Sequence, residues 1–275
     1  MPVAVPTVTL NDGRAMPRIG MGVWQIPDAD TPRVVREAVA EGYRLLDGAV
    51  IYGNERGLGE GVRGAGVPRD ELFVTTKVWN DSQGHNAAIR SVEGSLSRLG
   101  LDRLDLVLIH WPVPWKGLFV DTWKALVRLR EEGRATTIGV SNFLPEHLDR
   151  LADETGVVPA LNQIELHPEL PQRELREKHR EMGIVTESWT PLGQGRSFEA
   201  EPVRRAAERT GATPAQVVLA WNLAVGGVPI PRSTRRERLA ENLAAVEVEL
   251  LPEEVAAIEG LGTGHRCGPD PRSFE

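Results

Sequence analysis

From about residue 19 to residue 244, short runs of aliphatic and β-branched residues alternate with longer stretches in which apolar side chains recur at i, i+3 and i+4. The short runs predict eight strands, at Ile19–Gly22, Arg44–Asp47, Leu72–Lys77, Leu104–His110, Thr136–Val140, Ala160–Ile164, Ile184–Ser188 and Val228–Ile230. The longer stretches predict helices such as Thr31–Glu41, Asn86–Leu99, Val120–Glu132, Pro145–Glu154, Gln172–Met182 and Pro214–Ala224. Several open on a cap or a proline, as in Asp30-Thr31-Pro32 and Thr213-Pro214.

Repeated strand–helix units favour parallel strands, because each strand returns through a right-handed helical crossover. Runs such as LDLVLIH are mostly apolar, as expected for strands buried on both faces. Eight such units in 275 residues predict a single closed (β/α)8 barrel spanning 1–275, with a tail from about 262 to 275. Ahead of the first unit, VTLNDGRAMP reads as a hairpin turning at Asn11-Asp12-Gly13 and closing the bottom of the barrel. No linker, low-complexity segment or sequence repeat interrupts the pattern.

Composition narrows the function classes. The chain is 41% hydrophobic and 26% charged, and no apolar run approaches the roughly 20 residues that span a bilayer. Its start lacks the basic and apolar regions of a secretory signal, and its single cysteine, Cys267, excludes an intrachain disulfide or a CxxC site. The cytoplasm is the expected location. A net charge of −7 argues against a general nucleic-acid surface. The six histidines (His85, His110, His147, His167, His179, His265) form no HxH or HExxH pair, so no metal is expected, and Cys267 reads as incidental.

Strand ends of such a barrel open on one face, where chemistry sits. Asp47, Lys77 and His110 close the second, third and fourth predicted strands, and Tyr52 follows Asp47 by five residues. Each has an ordinary explanation alone: a solvated lysine, a core histidine, a helix-capping aspartate. Together on one rim they make a proton-donating site. Free tyrosine, with a pKa near about 10, is a weak acid at neutral pH. A Lys77 ammonium favours its phenolate and lowers that pKa, Asp47 keeps Lys77 charged, and His110 orients a carbonyl oxygen.

Five tryptophans (Trp24, Trp79, Trp111, Trp115, Trp189) fall at or just past strand ends, whereas Trp123 and Trp221 lie in helices. Trp24, Trp79 and Trp111, with His110, are expected to line an apolar substrate pocket. The short loop after His110 and the short Gly- and Pro-rich tail predict an open pocket and a mobile tail. Gly57-Leu58-Gly59-Glu60-Gly61 follows no strand directly, so it reads as a helix with small residues for close packing and not as a dinucleotide fingerprint.

A cofactor surface is predicted elsewhere. Ser141, Asn142 and Gln163 end the fifth and sixth strands and can bond a carboxamide. Trp189, just past the seventh, offers a flat face for a nicotinamide ring. The basic cluster after the eighth strand (Arg232, Ser233, Thr234, Arg235 and Arg238 among its members) stands where barrels often bind phosphate at a helix N-terminus. Asn242 lies one turn further, within reach of adenine. The cluster predicts NADPH over NADH through the 2′-phosphate.

The segments LLDGAVIYGNE, TTKVWN, LVLIHWP, IGVSNF, NQIELHP, SWTPLGQG and IPRSTRRERLAEN, in this order, resemble the aldo-keto reductase family, and within it bacterial members related to 2,5-diketo-D-gluconic acid reductase. The resemblance runs from about residue 7 to residue 260. It implies a monomeric NADPH-dependent reductase of small aldehydes or ketones, with Tyr52 as general acid, Lys77 and Asp47 tuning it and His110 orienting substrate. It also implies cofactor contacts from Ser141, Asn142, Gln163, Trp189, Thr190, Leu192, Gly193, Ile230 and the basic cluster. Gly48 and Arg232 depart from the family pattern, which often has Thr or Ser, and Lys, there; Gly48 predicts a looser Asp47 loop. A non-catalytic NADPH-binding reporter is a second reading, and a metal-dependent hydrolase is disfavoured by the missing ligand pair.

Overall fold

The computed structural model describes residues 4–274. Ten strands and ten α-helices are present among them. An antiparallel hairpin of β1 (Thr7–Thr9) and β2 (Ala15–Pro17) precedes eight parallel strands, β3 (Gly20–Gly22), β4 (Leu45–Asp47), β5 (Phe73–Val78), β6 (Leu104–Ile109), β7 (Ala135–Ser141), β8 (Leu161–Glu165), β9 (Val185–Trp189) and β10 (Gly227–Pro229). Neighbours in the sheet follow chain order, and Gly22 N donates to Pro231 O at 3.3 Å where β3 meets β10. The result is a nearly closed (β/α)8 barrel.

The helices are α1 (Thr31–Glu41), α2 (Glu55–Arg63), α3 (His85–Leu99), α4 (Phe119–Glu131), α5 (Pro145–Thr155), α6 (Arg173–Met182), α7 (Glu201–Thr210), α8 (Pro214–Ala224), α9 (Arg236–Leu243) and α10 (Pro252–Glu259). Strand and helix limits differ from the expected ones by a residue or two. The larger differences are α7 and α10, whose apolar faces are sparse: α7 buries only Val203 and Ala206, and α10 only Ile258. Helix α2 is built as the small residues suggest. A side chain at Gly59 would overlap the Leu99 carbonyl and one at Gly61 would press on Val35, so glycine lets α2 lie against α1 and the end of α3.

Why the strands read as largely apolar runs is plain in β6, where Asp105 near the bottom is the one charged residue. Val107 and Ile109 join the core between strands and helices, while Leu106 and Leu108 fill the barrel interior. Successive side chains point to opposite faces, so both phases must be apolar where both faces are buried. The interior phase holds Leu45, Phe73, Leu106, Leu108, Leu161 and Val228 toward the bottom. Leu10 and Met16 of the hairpin pack onto this layer. Thr137 Oγ1 donates to Asp12 Oδ2 at 2.6 Å and Asn11 Nδ2 to Pro159 O at 3.0 Å, seating the hairpin as a plug. Continued upward, the same phase reaches Asp47, Lys77, His110, Ser141, Gln163, Glu187 and Trp189.

Candidate active site

Strand phase and register bring the four expected polar residues together at the C-terminal mouth. Lys77, fully buried, donates to Asp47 Oδ1 at 2.8 Å and Oδ2 at 2.7 Å, to Gly48 O at 2.9 Å and to the Tyr52 hydroxyl at 3.4 Å. Its ammonium also stands 5.1 Å from the Tyr52 ring centre. Tyr52 reaches it from a short 3-10 turn, Val50–Tyr52, that ends at Gly53 with φ 69°, a left-handed value suited to glycine. The next residue anchors that turn: Asn54 Nδ2 donates to Val23 O at 2.8 Å and Ile26 O at 2.9 Å. Gly48 is not loose, since its N–H donates to Thr75 O at 3.0 Å and its carbonyl accepts a hydrogen bond from the Lys77 ammonium.

His110 lies edge-on to Tyr52 (ring centres 5.9 Å apart) and to Trp79 (4.9 Å), and parallel to Trp111 (6.5 Å). Burial, reinforced by the Lys77 charge, drives its pKa well below the ordinary imidazole value, so the ring is neutral at physiological pH. Nδ1 is buried with no hydrogen-bond partner among the described residues, which leaves Nε2 as the nitrogen available to a substrate oxygen. Burial opposes the Lys77 ammonium, but Asp47 and then Tyr52 outweigh it and hold it above its ordinary range. For Tyr52 the balance corrects the sequence-based expectation. Lys77 does pull the phenol pKa down, yet burial lifts it more, and the net direction is upward.

Two polar layers adjoin this group. Gln163 lies within β8 and not at its end; its Nε2 donates to Asp47 Oδ1 at 2.9 Å and to Glu187 Oε2 at 2.6 Å. Glu187, fully buried in β9, escaped the sequence reading. Burial first, then the nearby Asp47 charge, raises its pKa to about 8, so it is a carboxylic acid at neutral pH. Ser141 closes β7, with its hydroxyl on Gln163 O at 2.8 Å, and Asn142 follows at φ 63°. The Asn142 side chain bridges the rim, donating to His110 O at 3.0 Å and accepting from Trp189 Nε1 at 2.9 Å. Trp189 ends β9, and Thr190 beyond it has φ 50°, a strained value for a β-branched residue beside a mouth residue. Leu192 and Gly193 continue that loop, and Gly193 packs on the His167 ring.

The basic cluster precedes and opens α9. Arg232, Arg235 and Arg238 are exposed and form no ion pair among the described residues, whereas Arg236 is held by Glu41 at 2.5 Å. Ser233 is buried, and its hydroxyl accepts from Arg235 N at 3.1 Å, while Thr234 is exposed. Asn242 is buried on α9, and Ile230 is buried in the interior cluster behind them. Three unpaired guanidiniums at one helix entrance suit an anion such as a phosphate monoester.

The pocket differs from the open one expected. Phe274 of the tail rests on Trp111 (ring centres 4.4 Å apart) and near Trp79 (6.2 Å). Gly268 packs against Trp189 so closely that a side chain there would meet the indole at 2.5 Å. The tail is docked because Cys267 N donates to the buried Glu165 carboxylate at 2.5 Å, a partner remote in sequence. Trp24 is 53% exposed and takes no part in the aromatic cluster around His110; Trp115, 49% exposed, likewise stands outside it. Trp123 and Trp221 are fully buried, as expected of helix residues facing the core.

This geometry agrees with what the chain resembles. The family model described as "Aldo/keto reductase family" matches residues 17–263. An aldo-keto reductase of Mycolicibacterium smegmatis is 52% identical over 270 residues, 98% of each chain. A protein of Yersinia pestis named methylglyoxal reductase DkgA is 47% identical over 271 residues, 98% of this chain and 97% of its own. A crystal structure of a Gox0644 variant in complex with NADPH superposes with a TM-score of 0.95 at 47% identity, covering 99% of this chain and 100% of that one. Matches of this extent take in every strand of the barrel and all four polar residues at its mouth, and the chain belongs to the aldo/keto reductase family.

Proposed function

We propose that the protein reduces small aldehydes or ketones to alcohols, with NADPH as the reductant and Tyr52 as the proton donor. The observation that carries this reading is the Lys77 ammonium, bonded to both Asp47 oxygens and 3.4 Å from the Tyr52 hydroxyl at the barrel mouth. When bound, NADPH supplies the hydride to the carbonyl carbon. Tyr52, its pKa raised, holds its proton at the hydroxyl until negative charge develops on the carbonyl oxygen. Lys77 then stabilises the phenolate left behind, from a site where low dielectric strengthens the interaction. Neutral His110 donates a hydrogen bond to the same oxygen, and Trp79 and Trp111 exclude water around it.

The residues suited to hold the cofactor follow from the donor set. Asn142, Ser141 and Gln163 offer amide and hydroxyl groups beside Trp189, whose indole is oriented by its bond to Asn142. The unpaired Arg232, Arg235 and Arg238 favour a phosphate-bearing dinucleotide, hence NADPH over NADH. The likeness to a protein named methylglyoxal reductase makes a small dicarbonyl the first substrate to try.

The test is NADPH oxidation at 340 nm (about 340 nm being the nicotinamide band) with a panel of aldehydes and dicarbonyls, for the native protein and Tyr52→Phe. We expect turnover in the native protein, and loss of at least about a hundredfold in kcat for the variant with NADPH affinity nearly unchanged. Near-normal rates in Tyr52→Phe would remove the acid assignment. Tight NADPH binding with no turnover of any carbonyl would favour a non-catalytic reporter.

A further inference from the structure

The sequence gives no local metal-binding spacing, yet folding gathers three ligand types from distant positions. Glu165 closes β8, His167 follows it by two residues, and Cys267 comes from the tail. One ligand atom from each lies within 4.8 Å of the other two. His167 Nε2 is 3.1 Å from Glu165 Oε1 and 3.7 Å from Cys267 Sγ. Bonds of about 2.0 Å to nitrogen or oxygen and 2.3 Å to sulfur put tetrahedral ligand atoms roughly 3.3–3.6 Å apart. The widest pair would close by no more than about 1.3 Å, and the nitrogen–oxygen pair would open slightly, to reach that range.

A second observation separates this group from a cysteine that happens to lie near a histidine. Glu165 and His167 are each 1% exposed, and Glu165 Oε2 has no hydrogen-bond partner among the described residues. A buried carboxylate oxygen without a partner is costly. Arg266 Nη1 at 3.9 Å offers charge to Oε2 without a hydrogen bond. Arg196, the other cation nearby, is engaged by Glu169 at 2.8 Å.

We propose that Glu165, His167 and Cys267 form a site for a divalent cation of borderline softness, Zn2+ in the first instance, which ties the C-terminal tail to the barrel rim. The donor set of carboxylate, imidazole and thiol suits that class and leaves a fourth position for water. A free thiol, with an ordinary pKa of about 8.5, carries its proton at neutral pH. Binding displaces that proton: the S–H bond breaks, the S–metal bond forms, and one proton leaves to solvent. Because the same tail carries Phe274 onto Trp111, an occupied site would hold the covering aromatic over the pocket.

Cobalt(II) is the probe, since a thiolate on Co2+ gives a near-ultraviolet charge-transfer band and Cys267 is the sole cysteine of the chain. The full-length protein, reduced with a phosphine, is titrated with Co2+ and then with Zn2+. We expect the band to grow to one equivalent and to disappear as Zn2+ displaces Co2+. Cys267→Ser, which keeps the backbone bond to Glu165, abolishes the band. His167→Gln weakens binding by more than about tenfold. No band in the native protein, or a His167→Gln variant that binds as tightly, overturns the proposal. None of these outcomes depends on whether the protein reduces carbonyls.

Discussion

Glu187 is the residue whose removal tests the electrostatics of the barrel interior most directly. Its carboxyl is fully buried, accepts from Gln163 Nε2 at 2.6 Å, and has an Oε1 with no partner among the described residues. The folded state raises its pKa from 4.5 to about 8, so folding prefers the protonated form. The sign follows from proton linkage: the native state binds more protons than the unfolded state between those two values, and stability falls as pH rises. The contribution is fully present below 4.5 and is lost as pH climbs through about 8. Between about pH 5.5 and about pH 7.5 the shift removes roughly 2–3 kcal/mol, at about 1.36 kcal/mol per unit.

Glu187→Gln keeps the shape and the acceptor for Gln163 but cannot ionise. His110, His147 and His179 have pKa values lowered chiefly by burial, His179 to about 3, so they make stability rise with pH in both proteins alike. The difference between native and variant therefore isolates Glu187. Its unpaired amide hydrogens give the variant a constant penalty of about 1–3 kcal/mol. Against that offset, the variant gains on the native protein by roughly 2–3 kcal/mol across the interval, about 5 °C in Tm for a chain of this size. Calorimetry of both proteins at the two pH values measures it. A gap in Tm that stays constant, or widens in favour of the native protein, would refute a buried, protonated Glu187.

Asp47→Asn leaves the fully buried Lys77 ammonium without its counterion and should destabilise the fold by about 3–5 kcal/mol, read by thermal unfolding. Adding Lys77→Met should restore a large part of that loss; a double variant as unstable as the sum of the single changes would mean the pair is not coupled. Arg235→Ala should weaken NADPH binding by roughly tenfold to a hundredfold while leaving NADH within about twofold, by quenching of tryptophan fluorescence. Equal losses for both cofactors would detach the cluster from the 2′-phosphate.

How much of this was legible in the chain depends on whether a feature has periodicity. The barrel was, because strands covered on both faces must be apolar in both phases, as Leu106 to Ile109 show. The four mouth residues were too, since Lys77 or His110 interrupts such a run only at an end where water or a partner is near. The Tyr52 pKa was not: its direction is a contest between burial and Lys77 that only the packed site decides. Nor was the tail, whose bond from Cys267 to Glu165 joins residues 102 apart with no repeating pattern to reveal it. Glu187 lies between these cases. Interior positions recur every second residue, so counting back two from Trp189 reaches Glu187, just as counting on two from Gln163 reaches Glu165. The lower interior positions are Leu45, Phe73, Leu106, Leu108, Leu161 and Val228, and the upper ones, Trp189 apart, are polar. A charged residue in that phase, above an apolar layer, must either find a partner or give up its charge. Asp47 and Lys77 took the first course and Glu187 the second, and the strand phase alone was enough to pose the question for each.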